Sequence, residues 1–292
     1  MLVNLAEILA PAVKGGYGVA CFNVFGWEDA GAVVDAASRL GAPVILAVSL
    51  DFRRFMPLEV ICVMLRSLAE HAPVPVCVHL DHTYDIAELE RAVDLGFTSV
   101  MYDGSQLPLE DNIAGARRVS SYAHAAGCSI EAEIGSVPYA EGRPHIKSEL
   151  TEVSDAVRFA GEARVDAMAI AVGNIHRLQA PGAVIDFARL EQIAAAVGVP
   201  LVIHGTSGIF EEDITRLARA RVAKFNIGTV LRRAFGRGLR ETLARNPDRF
   251  DRLEIMGEAM QAVGEEATRM MRLLGWRGAT PGWRAESIAP SA

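Results

Sequence analysis

Val74-Pro-Val-Cys-Val-His-Leu-Asp-His82 is an apolar run that ends abruptly in ionisable side chains. A strand buried along its length and charged only at its carboxyl tip delivers chemistry to a surface, because the loops after parallel strands are where such a sheet meets solvent. Neutral imidazole is a good ligand for a borderline-soft cation such as zinc, and a carboxylate beside it can act as a base without being a ligand. Taken alone, His79-Leu80-Asp81-His82 fits a strand cap with a satisfied core histidine equally well. The surrounding chain decides between the two.

Outward from that stretch, short β-branched runs alternate with longer segments from Val19 to Ile227. Candidate strands cover residues 19–24, 44–49, 74–80, 99–102, 129–134, 167–172, 201–204 and 223–227. Between them, sets such as Ala30-Val33-Val34-Ala37 and Leu190-Ile193-Ala194-Val197 carry apolar side chains at helical spacing. Gly41, Gly96, Gly127 and Gly198 stand where helices pass directly into strands, the place of a left-handed cap. Eight such units with strands apolar on both faces predict an α/β fold, a (β/α)8 TIM barrel, over an open doubly wound sheet. The barrel is expected over residues 17–245, followed by a C-terminal helical extension over 246–292, and no second domain is expected in 1–292. That extension reads as an amphipathic helix from Met256 to Leu274 and a Gly/Pro-rich tail from Arg277. Its apolar face has either the barrel or a neighbouring subunit to cover it, and it predicts a homodimer or homotetramer.

Composition excludes several classes. The 292 residues are 51% hydrophobic, enough for a sizeable core, and the net charge of −7 is spread without blocks, which gives nucleic acid no basic face. Only three lysines occur, Lys14, Lys147 and Lys224, so few residues could form a Schiff base. Cys21, Cys62, Cys77 and Cys128 sit among apolar neighbours without Cys-x-x-Cys spacing and read as buried thiols of a reducing compartment. Residues 1–12 include Asn4 and Glu7 and lack a basic start, so they read as a first helix and not as a signal peptide. No apolar run approaches the roughly 20 residues of a membrane span. A cytoplasmic location is expected.

At the strand tips stand Asn23, Ser49, Asp81 with His82, Asp103, Glu131 with Glu133, His176, His204, and Asn226 with Thr229. Barrel tips converge on one mouth, so His82, His176 and His204 could share a metal ion and leave a fourth position for substrate. Of the other histidines, His71 and His124 read as solvent-facing on helices, His145 as a loop residue and His79 as structural. His204-Gly-Thr-Ser-Gly208 and Asn226-Ile-Gly-Thr229 are tight turns that offer backbone N–H groups at loops seven and eight, where phosphate binds in many barrels.

With these residues assembled, the chain resembles the class II, zinc-dependent fructose- and tagatose-bisphosphate aldolases, and is most similar to the shorter tagatose-type branch. The resemblance runs from Tyr17-Gly-Val-Ala-Cys-Phe-Asn23 through His79-Leu-Asp-His82, Asp103-Gly-Ser105, Glu131-Ala-Glu-Ile-Gly135 and His204-Gly-Thr-Ser-Gly208 to Lys224-Phe-Asn226 and Arg233-Ala-Phe235. It implies Zn2+ or another divalent metal on His82, His176 and His204, polarising a ketose carbonyl and stabilising the enediolate left by cleavage. It implies Asp81 as the base at the C4 hydroxyl, with Asp103 and Glu133 near an alternative metal position or orienting the ligands. The family's mobile-loop glutamate, which exchanges a proton at C3, falls on Glu141. Gly205, Ser207, Asn226 and Thr229 match positions that hold the dihydroxyacetone-phosphate half, with a monovalent cation, Na+ or K+, nearby; Asn23 and Ser49 complete the substrate-binding set.

Three departures bear on substrate. Arg177 follows the second metal histidine where the family has glycine, so it either adds a phosphate contact or crowds the site. Pro138-Tyr139 replaces a Gly-Gly pair in the mobile loop, which predicts a stiffer loop. Arg53-Arg54 stand where small residues are usual, as a cationic rim for an acidic acceptor or as a solvated loop end. The reading is a metal-dependent aldolase for a ketose mono- or bisphosphate, with an acidic or modified acceptor half as the alternative. A non-catalytic barrel subunit predicts eroded ligands, a zinc hydrolase leaves the two anion turns unused, and a Schiff-base aldolase needs a lysine at a tip, where Lys224 does not lie.

Overall fold

The computed structural model describes residues 1–142 and 148–278. His145 and most of the Gly/Pro-rich tail fall outside those residues. Eight parallel strands close in sequential order: β1 (Val19–Asn23), β2 (Val44–Val48), β3 (Val76–Thr83), β4 (Ser99–Tyr102), β5 (Ser129–Ile134), β6 (Ala167–Ile170), β7 (Leu201–Ile203) and β8 (Val222–Ile227). Cys21 of β1 pairs with Asn226 of β8 and shuts the ring. The TIM barrel expected from the alternation is therefore present, with helices outside and a C-terminal helix beyond.

Strand ends differ where local chemistry overrides the apolar pattern. β3 continues to Thr83, because its ladder with β4 resumes after a register shift between Leu80 and Thr83. Asp81 and His82 thus lie inside the strand and not after it, with His82 at φ 34 in the irregular stretch. β6 stops at Ile170 and β7 at Ile203, so His204 is the first residue past its strand. Gly41 (φ 64) caps its helix as expected, its N–H donating to the Ala37 and Ser38 carbonyls. Gly198 does not take that role: the helix Phe187–Ala196 ends on an extended Val197.

Alternation along the strands turns pairs such as His79/Asp81, Glu131/Glu133 and Lys224/Asn226 to one face. Glu131 on β5 contacts Lys224 on β8 and His204 beyond β7, which only the barrel axis permits. A polar layer therefore lies under the mouth, within a core that is otherwise aliphatic.

The first helix is Leu5–Gly15, started by an Asn4/Glu7 capping box in place of a start at Met1. A short helix, Leu50–Phe55, which the pattern did not announce, begins on Ser49 as its cap. The last helix is Arg252–Leu273, four residues earlier than its apolar spacing suggests, because Asp251 caps Leu253 and Glu254. It packs on the helices Thr229–Arg245 and Trp27–Leu40 of its own barrel. Beyond it, Trp276 meets Tyr17 edge-on at 5.1 Å. Ala259, Val263, Ala267 and Met270, the apolar face that suggested oligomerisation, are buried within the chain, so the reason for expecting a homodimer or homotetramer is removed. Among the described residues no helix is long and apolar enough to cross a membrane.

Candidate active site

At the mouth, one ligand-capable atom from each of His82, Glu133, His176 and His204 lies within 4.8 Å of the others. The three imidazoles meet edge-on, with centroids 4.6–5.5 Å apart. Their second nitrogens explain the orientation. His82 Nδ1 is 2.8 Å from Asp103 Oδ2, and His204 Nε2 is 2.9 Å from Glu131 Oε1. An ionised carboxylate only accepts, so those nitrogens carry the protons. The remaining ring nitrogens, His82 Nε2 and His204 Nδ1, then lie 2.8 Å apart at the cavity.

At that distance the two nitrogens share one proton when no metal is bound, and both can turn their lone pairs to a metal ion instead. Burial alone would lower the His82 pKa, but Asp81, Asp103 and Glu133 together push it up to about 10. The field that would hold a proton there suits a divalent ion equally, so the donor set fits a metal. His176 is kept neutral by burial and by the two neighbouring imidazoles. Glu133 is buried beside Asp103, which raises its carboxyl to about 8.

Asp81 is placed differently. Its Oδ1 accepts from Asn226 Nδ2 at 3.0 Å and its Oδ2 from Asn23 Nδ2 at 2.8 Å. Burial opposes the charge, yet His82, His204 and Lys224 hold the carboxyl far below the usual range, so it is ionised. It stands beside the metal-capable cluster without belonging to it.

Loops seven and eight close the other side. Gly205 (φ 71) leads into a 3-10 turn, Thr206–Gly208, and Ser207 Oγ accepts from Val230 N at 3.4 Å, joining the two loops. Thr229 is the first residue of its helix and Gly228 the cap. A Cβ on Gly205 would lie 2.2 Å from the Ile175 carbonyl oxygen. Gly205→Ala is accordingly expected to displace the segment carrying His176, weakening metal retention and phosphate binding together; metal titration and a KM for the phosphorylated substrate would show both changes.

Asn23, Ser49, Asp81, His82, His176, Arg177, His204, Gly205, Ser207, Asn226 and Thr229 all border this one cavity. Glu141 does not border it: its half-exposed carboxylate lies 3.3 Å from Arg177 Nη1. Arg177 (φ 58) also meets Asp51 Oδ2 at 2.7 Å, so two carboxylates already engage its guanidinium. The loop before Glu141 is strapped to a histidine, since His176 N donates to the Pro138 carbonyl at 2.8 Å and Ala140 N to the His176 carbonyl at 2.9 Å. The Tyr139 ring stacks on His176 at 4.6 Å. Arg53 is neither a cationic rim nor a solvated loop end: its side chain is 3% exposed and donates to Thr83 Oγ1 and the His82 carbonyl, both at 2.7 Å. It braces the strand, and Arg54 is the neighbour that reaches the cavity.

Sequence reasoning missed Asp51, Arg232 and the ligand-orienting role of Glu131. Arg232 lies one helical turn after Thr229, against the Phe25 ring at 5.2 Å. That i+3 spacing was the available signal. His79 is structural as expected, with Nδ1 2.8 Å from Ser99 Oγ. His71 and His124 lie on helices with exposed side chains, His124 beside Asp166.

Imidazoles, an ionised carboxylate and anion-ready turns around one barrel mouth make an enzyme site, and the family match makes that enzyme an aldolase, a lyase. The chain belongs to the class II fructose-bisphosphate aldolase family, whose model matches residues 3–279. It is 36% identical over 284 residues to the fructose-bisphosphate aldolase of Geobacillus stearothermophilus, covering 95% of this chain and 98% of that one. The probable fructose-bisphosphate aldolase of Bacillus subtilis is 35% identical over 283 residues, covering 94% and 98%. Among solved structures, the YdjI aldolase of Escherichia coli K12 superposes with a TM-score of 0.83 at 30% identity, over 94% of this chain and 98% of that one.

Proposed function

We propose that the chain is a zinc-dependent aldolase that reversibly cleaves a ketose bisphosphate, fructose- or tagatose-1,6-bisphosphate, to dihydroxyacetone phosphate and an aldehyde. The observation that carries the reading is the meeting of the His82, His176 and His204 rings, with His82 Nε2 2.8 Å from His204 Nδ1, beside an Asp81 held by two amides. A zinc ion held by His82, His176 and His204 would polarise the ketose carbonyl and favour negative charge on its oxygen. Asp81 takes the proton from the C4 hydroxyl in cleavage and returns it in condensation, while the Asn23 and Asn226 amides keep both of its oxygens aimed. Gly205, Ser207, Asn226 and Thr229 bind the dihydroxyacetone-phosphate half, and Na+ or K+ beside that phosphate belongs to the same reading. Asp103 orients His82, and Glu133 offers a fourth ligand atom.

Glu141 is the proposed acid–base group at C3, carried on a loop that Arg177 tethers. Glycine adopts φ 58 without strain, so Arg177→Gly would release the loop without distorting the turn. The expected result is a kcat about tenfold lower, short of the ~10²-fold that loss of the acid–base group itself would cost; steady-state kinetics beside Glu141→Gln check it.

A second reading keeps the chemistry and changes the acceptor half. Arg54 and Arg232 add two guanidinium groups to the cavity, which would suit a carboxylate or sulfonate as well as a phosphate. The Schiff-base reading fails on Lys224, buried 2.8 Å from Glu131 Oε2 and held protonated, so it offers no free amine. A panel of ketose mono- and bisphosphates, with dihydroxyacetone phosphate as the detected product, tests the proposal. Cleavage of fructose or tagatose bisphosphate is expected, and release of dihydroxyacetone phosphate from no member would overturn it.

A further inference from the structure

Beneath the mouth, one buried cation touches both halves of the proposed chemistry. Lys224 Nζ lies 2.8 Å from Glu131 Oε2 and within hydrogen-bond reach of Asn226 Oδ1, with both ion-pair side chains fully buried. An ammonium has donors only, so it dictates what may face it. The Asn226 oxygen must turn toward Lys224, and Nδ2 is thereby sent to Asp81 Oδ1 at 3.0 Å. Reversing the amide would set N–H against the ammonium and oxygen against the carboxylate. Both contacts would be repulsive.

The other branch runs through Glu131. Lys224 balances its charge where no water reaches it, and Glu131 Oε1 can then accept from His204 Nε2 at 2.9 Å. That contact leaves His204 Nδ1 as the lone pair on the cavity. Without that cation nothing would fix Oε2, and Oε1 would no longer be held turned to the His204 ring. A buried ion pair adds little stability over apolar side chains of equal volume. What this one adds is direction.

We infer that Lys224 is a positioning residue for both centres, fixing the Asn226 amide that aims Asp81 and, through Glu131, the tautomer of His204. The inference rests on the metal-dependent reading above. It separates Lys224 from the tip residues: it contacts neither substrate nor metal, yet it governs the orientation of a ligand and of the base. Its place two residues before Asn226, on the same strand face, is what lets one side chain serve both.

Lys224→Met alone would strand a buried carboxylate, so the test pairs it with Glu131→Gln, which removes both members of the ion pair and leaves the net charge unchanged. Zinc affinity by competition with a chromogenic chelator is expected to fall about 10–100-fold, as for lost ligand-orienting partners elsewhere. At saturating zinc, kcat is expected to fall at least about tenfold, because the base is no longer aimed, over and above any rise in KM from the loosened Asn226. A folded double variant, by near-UV circular dichroism, with wild-type zinc affinity and kcat overturns the inference. If that variant does not fold, nitrogen-15 NMR of the wild type decides: His204 protonated on Nε2 and a slowly exchanging Lys224 ammonium support it, whereas His204 protonated on Nδ1 or a freely exchanging Lys224 overturns it. The wild type carried through the same titration keeps the two readings apart. A wild type that binds no zinc refutes the metal-dependent function, while equal binding by wild type and variant refutes only the role of Lys224.

Discussion

Asp81→Ala is expected to retain zinc and to lose cleavage by about 10²–10⁴-fold, the range of a positioned acid–base group. Retention follows from geometry: both Asp81 oxygens are taken by Asn23 and Asn226, and the metal-capable cluster forms without it. Loss follows from charge, since the other carboxylates near the histidines are committed elsewhere: Asp103 accepts from His82 and Glu131 from His204, Glu133 is buried with its carboxyl raised to about 8, and Glu141 lies on Arg177. Asp81→Asn should behave alike, because an amide fills the volume without accepting a proton. Quantified metal and kcat on the same preparations check the pair, and normal turnover in either would sink the assignment of the base.

His204→Ala is expected to lose metal and activity together. The ring supplies one of the two nitrogens that meet at 2.8 Å in the metal-capable cluster, and its removal also leaves Glu131 Oε1 without its imidazole donor. The affinity loss should exceed the ~10–100-fold typical of an outer partner. Added zinc should restore little turnover, in contrast to the double variant at Lys224 and Glu131, which saturating metal should partly rescue. His124→Ala is the control: that ring lies on the outer surface beside Asp166, and both readouts should remain as in the wild type.

The barrel and the tip residues could be read from the chain because each leaves a one-dimensional trace. Helical and strand periodicities alternate eight times, and Asp81, His82, His204 and Asn226 each follow an apolar run directly. His176 was legible for a weaker reason, standing six residues past the end of β6 on a loop whose course the sequence does not describe. What escaped lies in cross-barrel pairing. Lys224 and Glu131 belong to strands that are not neighbours, so nothing along the chain announces their contact. Arg53 and Arg54 are adjacent and chemically identical, yet one is buried against Thr83 and the other borders the cavity, because the short helix Leu50–Phe55 turns them apart. Arg177 was visible as an unusual residue, but its two carboxylate partners come from the short helix after β2 and the loop after β5, and only the closed ring brings those together.

The central claim is that a metal held by the three histidines makes this barrel cleave a ketose bisphosphate. The most direct measurement is one sample assayed for bound zinc and for dihydroxyacetone phosphate released from fructose and tagatose bisphosphate, before chelation, after chelation and after zinc is returned. The account predicts about one zinc per chain, with cleavage that disappears with the metal and returns with it. Cleavage that persists in fully stripped protein would contradict it.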